Sequence, residues 1–159
     1  MQINFEMIYS NYALYVIFVH ILSAVIWVGG MIVVKLAIHP ALHKIEDENI
    51  RIKTSLKTMG NLFNLAFPFV VLSLLTALVF LLGAKFSGWI VYAKEGIWTV
   101  MTINFLYMYI QRLRASFAYK KGDLDRVKNL VRFIPTRLLP LNILLGIAAI
   151  FLGVMFRGL

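Results

Sequence analysis

Four apolar runs, at about 12–38, 62–82, 97–119 and 135–156, interrupt a polar and basic background. Each reaches the roughly 20 residues that a helix needs to cross hydrocarbon, the third being less regular at its basic end. The connections carry their own signals. Ser87-Gly88 marks a turn, Lys121-Gly122-Asp123 breaks the third run, Asp123 can cap the segment DLDRVKNLVRF, and Pro135 opens the fourth helix. Pro40 is expected to start a fresh helical stretch after the first run. Behind it, IEDENIRIKTSLKTM places acids first and bases later, as a helix dipole favours, so the second helix should project beyond the bilayer. The pattern predicts an all-α, polytopic membrane protein: one domain over 1–159, folded as an antiparallel four-helix transmembrane bundle.

Composition agrees and narrows the class. Hydrophobic residues make up 61% of 159 positions and charged residues 14%, more apolar surface than a soluble core of this size can hide. There is no cysteine, which excludes disulfides, thiolate metal sites, iron–sulfur clusters and covalent C-x-x-C-H haem attachment. Residues 1–11 carry Glu6 and no Lys or Arg, and the run that follows is too long for a cleavable signal, so it is expected to stay as a transmembrane helix.

Charge sets an expected orientation. The stretch after the first run holds Lys44, Arg51, Lys53 and Lys57, and the one between the third and fourth holds Arg112, Arg114, Lys120, Lys121, Arg126, Lys128, Arg132 and Arg137; the other side has only Lys85, Lys94 and Arg157. Twelve against three places both basic stretches in the cytoplasm and both termini outside, in a bacterial-type inner membrane. Lys35 is expected to snorkel to the same cytoplasmic surface. The net charge of +9 then reflects topology and anionic membrane lipid as partner, and without a recognition motif no nucleic-acid binding is expected.

His20 is the candidate for chemistry, because an imidazole at membrane depth needs a partner, a ligand or a proton. It lies about 12 Å inside the first span at 1.5 Å per residue. Antiparallel counting puts Ser73, Thr76, Met101, Asn104, Gly146, Ala149 and Gly153 at similar depth. The small residues of the fourth helix could leave a slot for a flat ring, or could serve close helix packing. On the first helix His20, Ala24, Trp27, Met31 and Lys35 share one stripe, with Gly30 to one side and Gly29 opposite. Trp27 could wall a pocket or fill the core. His39 and His43 stand four apart, a spacing that can hold a metal on a continuous helix, although Pro40 is expected to separate them.

The series His20, Trp27, Gly29-Gly30, Lys35 and His39 resembles the first-helix signature of the CopD-type copper-resistance membrane proteins. It is similar also to that of the HemJ-type protoporphyrinogen oxidases. The matching stretch covers about 20 of 159 residues. The resemblance implies that His20 is a metal ligand to haem b; the residues set near it by stripe and by depth, Trp27, Gly30, Met101, Gly146 and Ala149, are then expected around the cofactor. No second intramembrane histidine is present, so Met101, Met108 or a ligand from a second copy in a homo-oligomer would complete the iron. HemJ-type proteins carry Trp-x-His-x-Lys at the start of the third helix, whereas here Trp98 is followed by Thr99, Val100, Met101 and Thr102. That departure implies loss of protoporphyrinogen oxidation.

Other chemistries find no footing. The methionines form no Met-x-Met or Met-x-x-Met cluster for copper(I), and the seven acidic residues lie outside the runs or at their edges. No phosphate loop, zinc helix motif or nucleophile elbow appears. The expected function is therefore haem b or tetrapyrrole binding, with electron transfer or ring handling and a redox partner that the sequence does not name. The alternatives are a non-enzymatic scaffold or accessory subunit, and a carrier for a metal or small solute.

Overall fold

The computed structural model describes residues 4–84 and 87–156, with Phe156 described in its backbone only. Lys85 and Arg157, two of the three basic residues assigned to the sparsely charged side, lie outside the described residues. The chain is helical in the order α1 (Phe5–Val33), a π-helical turn (Val34–Ile38), α2 (His39–His43), α3 (Glu48–Gly83), α4 (Trp89–Lys120), α5 (Leu124–Val131), a second π-helical turn (Ile134–Leu138) and α6 (Leu139–Phe156). The all-α antiparallel bundle read from the apolar pattern is the fold observed. Three stretches, Phe5–His43, Glu48–Gly83 and Leu124–Met155, are long and apolar enough to cross a membrane. α4 is equally long, but Thr99, Thr102, Asn104, Gln111 and Arg112 lower its mean hydropathy.

Several expected boundaries hold for the expected reasons. Asp123 accepts from the Arg126 N–H at 3.0 Å, capping α5, and Gly122 takes φ +76°, which suits glycine. Gly88 turns at φ +113° beside Ser87. Pro40 behaves differently from expectation. The helix runs through it to His43, and the new helix begins only at Glu48, where Asp47 caps the Ile50 N–H at 2.9 Å.

The two π-helical turns explain how the proline is passed. Each ends two residues before a proline: the His39 N–H reaches back five residues to Val34 O, the Leu139 N–H reaches back five to Ile134 O, and Pro40 and Pro140 follow. A proline ring clashes with the carbonyl four residues back, and widening the turn relieves the clash. The next acceptors in the wide series, the Lys35 and Pro135 carbonyls, then face residues with no N–H. Lys35 Nζ donates to the Pro135 carbonyl at 2.8 Å. The lysine expected to snorkel outward instead ties the two widened turns together. Lys35→Met should leave that carbonyl unpaired and cost about 1–3 kcal/mol, read as a lower thermal midpoint in detergent; an unchanged midpoint would show the bond to be incidental.

The core sits in the half of the bundle nearer the basic end. Trp27, Met31, Phe63, Phe105 and Met108 are buried together, with Phe105 edge-on to both Trp27 and Phe63 at 5.8 and 5.5 Å. Large side chains such as Leu14, Tyr15, Phe18, Leu144 and Phe151 face outward, the disposition expected of a surface solvated by lipid. α1 and α3 also meet closely at the opposite end, where a Cβ on Gly83 would collide with the Phe5 carbonyl. Between α4 and α6, Asn104 Nδ2 donates to Asn142 Oδ1 at 2.7 Å and to Leu138 O at 2.8 Å, while Asn142 Nδ2 donates to Met101 O at 3.1 Å. Asn142 is fully buried, so this network fixes the register of the two helices without leaving its amide unpaired.

α5 is docked at the polar end by an ion pair. Lys128 Nζ lies 2.8 Å from Glu48 Oε1, and its hydrogen bond holds the Glu48 carboxyl below the usual carboxylate range while raising the Lys128 ammonium. A depressed carboxyl contributes stability above its unfolded value and loses that contribution as pH falls through the folded value. Acidification should therefore speed hydrogen exchange of the α5 amides before the transmembrane helices respond, and Glu48→Gln should reproduce the effect at neutral pH. Both groups are exposed, so the effect is confined to α5 and small.

Candidate functional site

α1 carries His20 to the interface with α3, eight residues beyond the kink at Tyr12 and within regular helix. Its Nδ1 lies 2.8 Å from Thr76 Oγ1, and its ring meets Phe80 edge-on at 5.2 Å. Thr76 has a single hydroxyl hydrogen, and two α3 carbonyls compete for it, Leu72 O at 2.8 Å and Ser73 O at 3.0 Å. With that hydrogen committed, the hydroxyl oxygen accepts and His20 Nδ1 must donate. The tautomer is assigned from this bonding pattern. In the neutral ring Nε2 then keeps its lone pair, the form in which an imidazole binds a metal.

The neighbourhood of His20 is hydroxylic. Ser23, Ser73 and Thr76 are buried, and all three return hydrogen bonds to helix carbonyls. Trp98 Nε1 donates to Ser73 Oγ at 3.0 Å. α1, α3 and α4 are thus joined by neighbouring polar groups at one level, His20 on Thr76 and Trp98 on Ser73. Ser73 and Thr76 stand where antiparallel counting put them. The part played by Trp98 was visible only as a departure from a family pattern, because an indole N–H in an apolar run does not announce its acceptor.

The other candidate residues are distributed more widely. Trp27 is buried on the same stripe of α1 as His20, packed on Phe105, and its Nε1 has no hydrogen-bond partner. Gly30 faces Leu62, whose Cδ1 would be 3.1 Å from an added Cβ. At Gly146 an added Cβ would lie 2.6 Å from Val28 Cγ2 and 3.3 Å from Met101 Cε. Gly146 and Met101 therefore meet α1 at Val28, about 12 Å along the helix from His20 at 1.5 Å per residue. Ala149 is half-buried one turn further on. His20 is brought together with Thr76, Ser73 and Phe80, and not with Met101 or Gly146.

The surroundings of His20 meet one requirement of haem. The donor chemistry fits one axial position: a histidine whose second ring nitrogen is held by a hydrogen bond, as metal-bound histidines characteristically are. Trp27 adds a buried donor in need of an acceptor. The gap beside Gly146 is occupied by Val28 and Met101, so it supplies no slot for the ring at its own level.

At the basic end the helix running through Pro40 sets His39 and His43 on one face, with their Nε2 atoms 3.3 Å apart. Among the described residues no group of three or more His, Cys, Asp or Glu side chains converges. The pair alone does not supply the four ligands of a closed structural zinc site. Comparison with family models, curated proteins and solved structures gave no match.

Proposed function

We propose that this chain is a small inner-membrane protein that binds haem b, or a related tetrapyrrole, through Nε2 of His20. The observation that carries this reading is the Nδ1 bond to Thr76, which selects the tautomer whose free nitrogen points away from α3's hydroxyl. Haem bound there would supply one-electron chemistry at its iron. The chain's own contribution is to orient the imidazole: Thr76 accepts from Nδ1, the Leu72 and Ser73 carbonyls hold the Thr76 hydroxyl, and Phe80 limits ring rotation from the side. Trp27 Nε1 is available to a polar substituent of the ring further along the stripe. With neither histidine nor lysine after Trp98, the reading is of binding, electron transfer or ring handling rather than protoporphyrinogen oxidation. The test is the absorption spectrum of detergent-purified protein from cells given ample haem precursor, oxidised and reduced. A Soret band that shifts on reduction is expected; its absence would sink the proposal.

A scaffold or accessory-subunit reading is favoured by a different observation, the buried Asn104–Asn142 network and the filled space at Gly146. Under it His20 serves only as a lock between α1 and α3.

The orientation belongs to the same proposal: basic connections in the cytoplasm and termini outside. Single cysteines at Lys53, Lys128 and Ser87 should divide accordingly in intact cells. An impermeant thiol reagent is expected to label only the cysteine at Ser87, and labelling of the other two alone would reverse the orientation.

A further inference from the structure

A cavity of about 380 Å³ opens between α3 and α4 at the basic end, remote from His20. Its walls are of two kinds. Lys53, Lys57, Arg112 and Lys120 bring four cations, Leu113 and Phe117 bring apolar surface, and no carboxylate lines it. Arg112 is the anchored member. Its Nε donates to the Leu56 carbonyl at 3.1 Å, and its guanidinium lies across Gly60, where a Cβ would collide with it. Gly60 is thus buried beneath an arginine head rather than against a neighbouring helix backbone. One of the five guanidinium N–H donors is used on Leu56, and Arg112 has no ion-pair partner among the described residues.

A half-buried guanidinium gathered with three lysines and no acid is a concentration of like charge that an anion would relieve. The same notch opens onto Leu113 and Phe117, which are 36% and 64% exposed on the outward face of α4, and Lys120 Nζ stands 5.9 Å above the Phe117 ring. Orientation of a chain in a bilayer does not require this arrangement, since lysines and arginines serve that end anywhere in the polar connections. It does not explain a glycine cut to receive a guanidinium.

We propose that the notch is a headgroup site for an anionic phospholipid. The phosphate is held by the free face of the Arg112 fork and by the lysines, and an acyl chain lies along Leu113 and Phe117. The guanidinium suits this role because its planar fork binds two phosphate oxygens at once. The occupant is a membrane lipid rather than a free phosphate because the apolar half of the notch has no use for an inorganic ion.

Native mass spectrometry of the full chain, released from micelles containing equal phosphatidylglycerol and phosphatidylcholine, tests this. Wild type is expected to keep one phosphatidylglycerol at activation energies that strip phosphatidylcholine. Arg112→Gln should lower that retention about fivefold, the effect of one interfacial charge on an anionic lipid. Lys53→Gln with Lys57→Gln, at exposed positions that bear no fold contacts of this kind, should lower it further and guards against misfolding of the arginine variant. Arg114→Gln and Arg132→Gln, which remove the same charge outside the notch, should leave retention unchanged. Equal losses from notch and control variants would reduce the effect to general surface charge and overturn the site. Displacement of the lipid by millimolar inorganic phosphate alone would overturn the choice of a lipid as its occupant.

Discussion

Replacing His20 with alanine is expected to remove most of the bound haem while the bundle stays folded. The stability lost should be about 0.5–1.5 kcal/mol, the net worth of one intramolecular hydrogen bond, because Thr76 keeps its own bonds to the α3 carbonyls. Thr76→Val offers the sharper test. It leaves the histidine in place but takes the acceptor from Nδ1, so haem affinity should fall about 10–100-fold, the usual effect of losing a partner behind a metal ligand. Soret absorbance per mole of protein and far-UV circular dichroism, measured together, separate the readings. Variants that lose thermal stability with no change in a haem spectrum would leave His20 as a helix lock and favour the scaffold.

Gly146→Leu is the second large effect, and it should act on the bundle rather than on the cofactor. A Cβ at that position would stand 2.6 Å from Val28 Cγ2, so a leucine must push α6 away from α1 or force Val28 and Met101 into strained rotamers. Overpacking of this kind costs about 1–3 kcal/mol. The loss should be the same in protein with and without haem, since Gly146 sits about two turns of α1 from His20. Thermal unfolding of both forms measures it. A loss seen only in the haem-bound form would mean that the ring reaches α6, against the distribution of contacts described above.

The difference between these two residues shows where sequence reading stops. Counting inward along antiparallel helices sets Ser73 and Thr76 at the depth of His20, and the count works because α1 and α3 pack closely along their length, from Gly83 against Phe5 to Gly30 against Leu62. The same count put Met101 and Gly146 at that depth and missed by about two turns. Helices that differ in length beyond the bilayer, as α3 and α4 do by reaching into the basic end, carry no mark of where their membrane segments begin. Side-chain contacts set that register instead, here Asn104 on Asn142 and Trp98 on Ser73.

Pro40 departs from the local pattern for a different reason. Pro40 suits the first turn of a new helix, since a proline in a helix interior removes one donor and collides with a carbonyl. Whether a chain breaks or widens at such a point depends on what can satisfy the carbonyls left over. At the second widened turn, before Pro140, Lys35 does so for the Pro135 carbonyl from a position 100 residues away, which no local pattern could reveal.

The sequence by itself determined the helical class, the number of long helices, the caps at Asp123 and the turn at Gly88, and the polarity of the two ends. These follow from local quantities: runs of apolar residues, side chains that cap their own backbone, and counts of charge. Only the tertiary structure decided that Nδ1 of His20 meets Thr76, that Gly146 is filled by Val28, and that Gly60 receives Arg112. Each of those depends on the axial register and rotation of one helix against another, and that is fixed by packing and buried hydrogen bonds between residues distant in the chain.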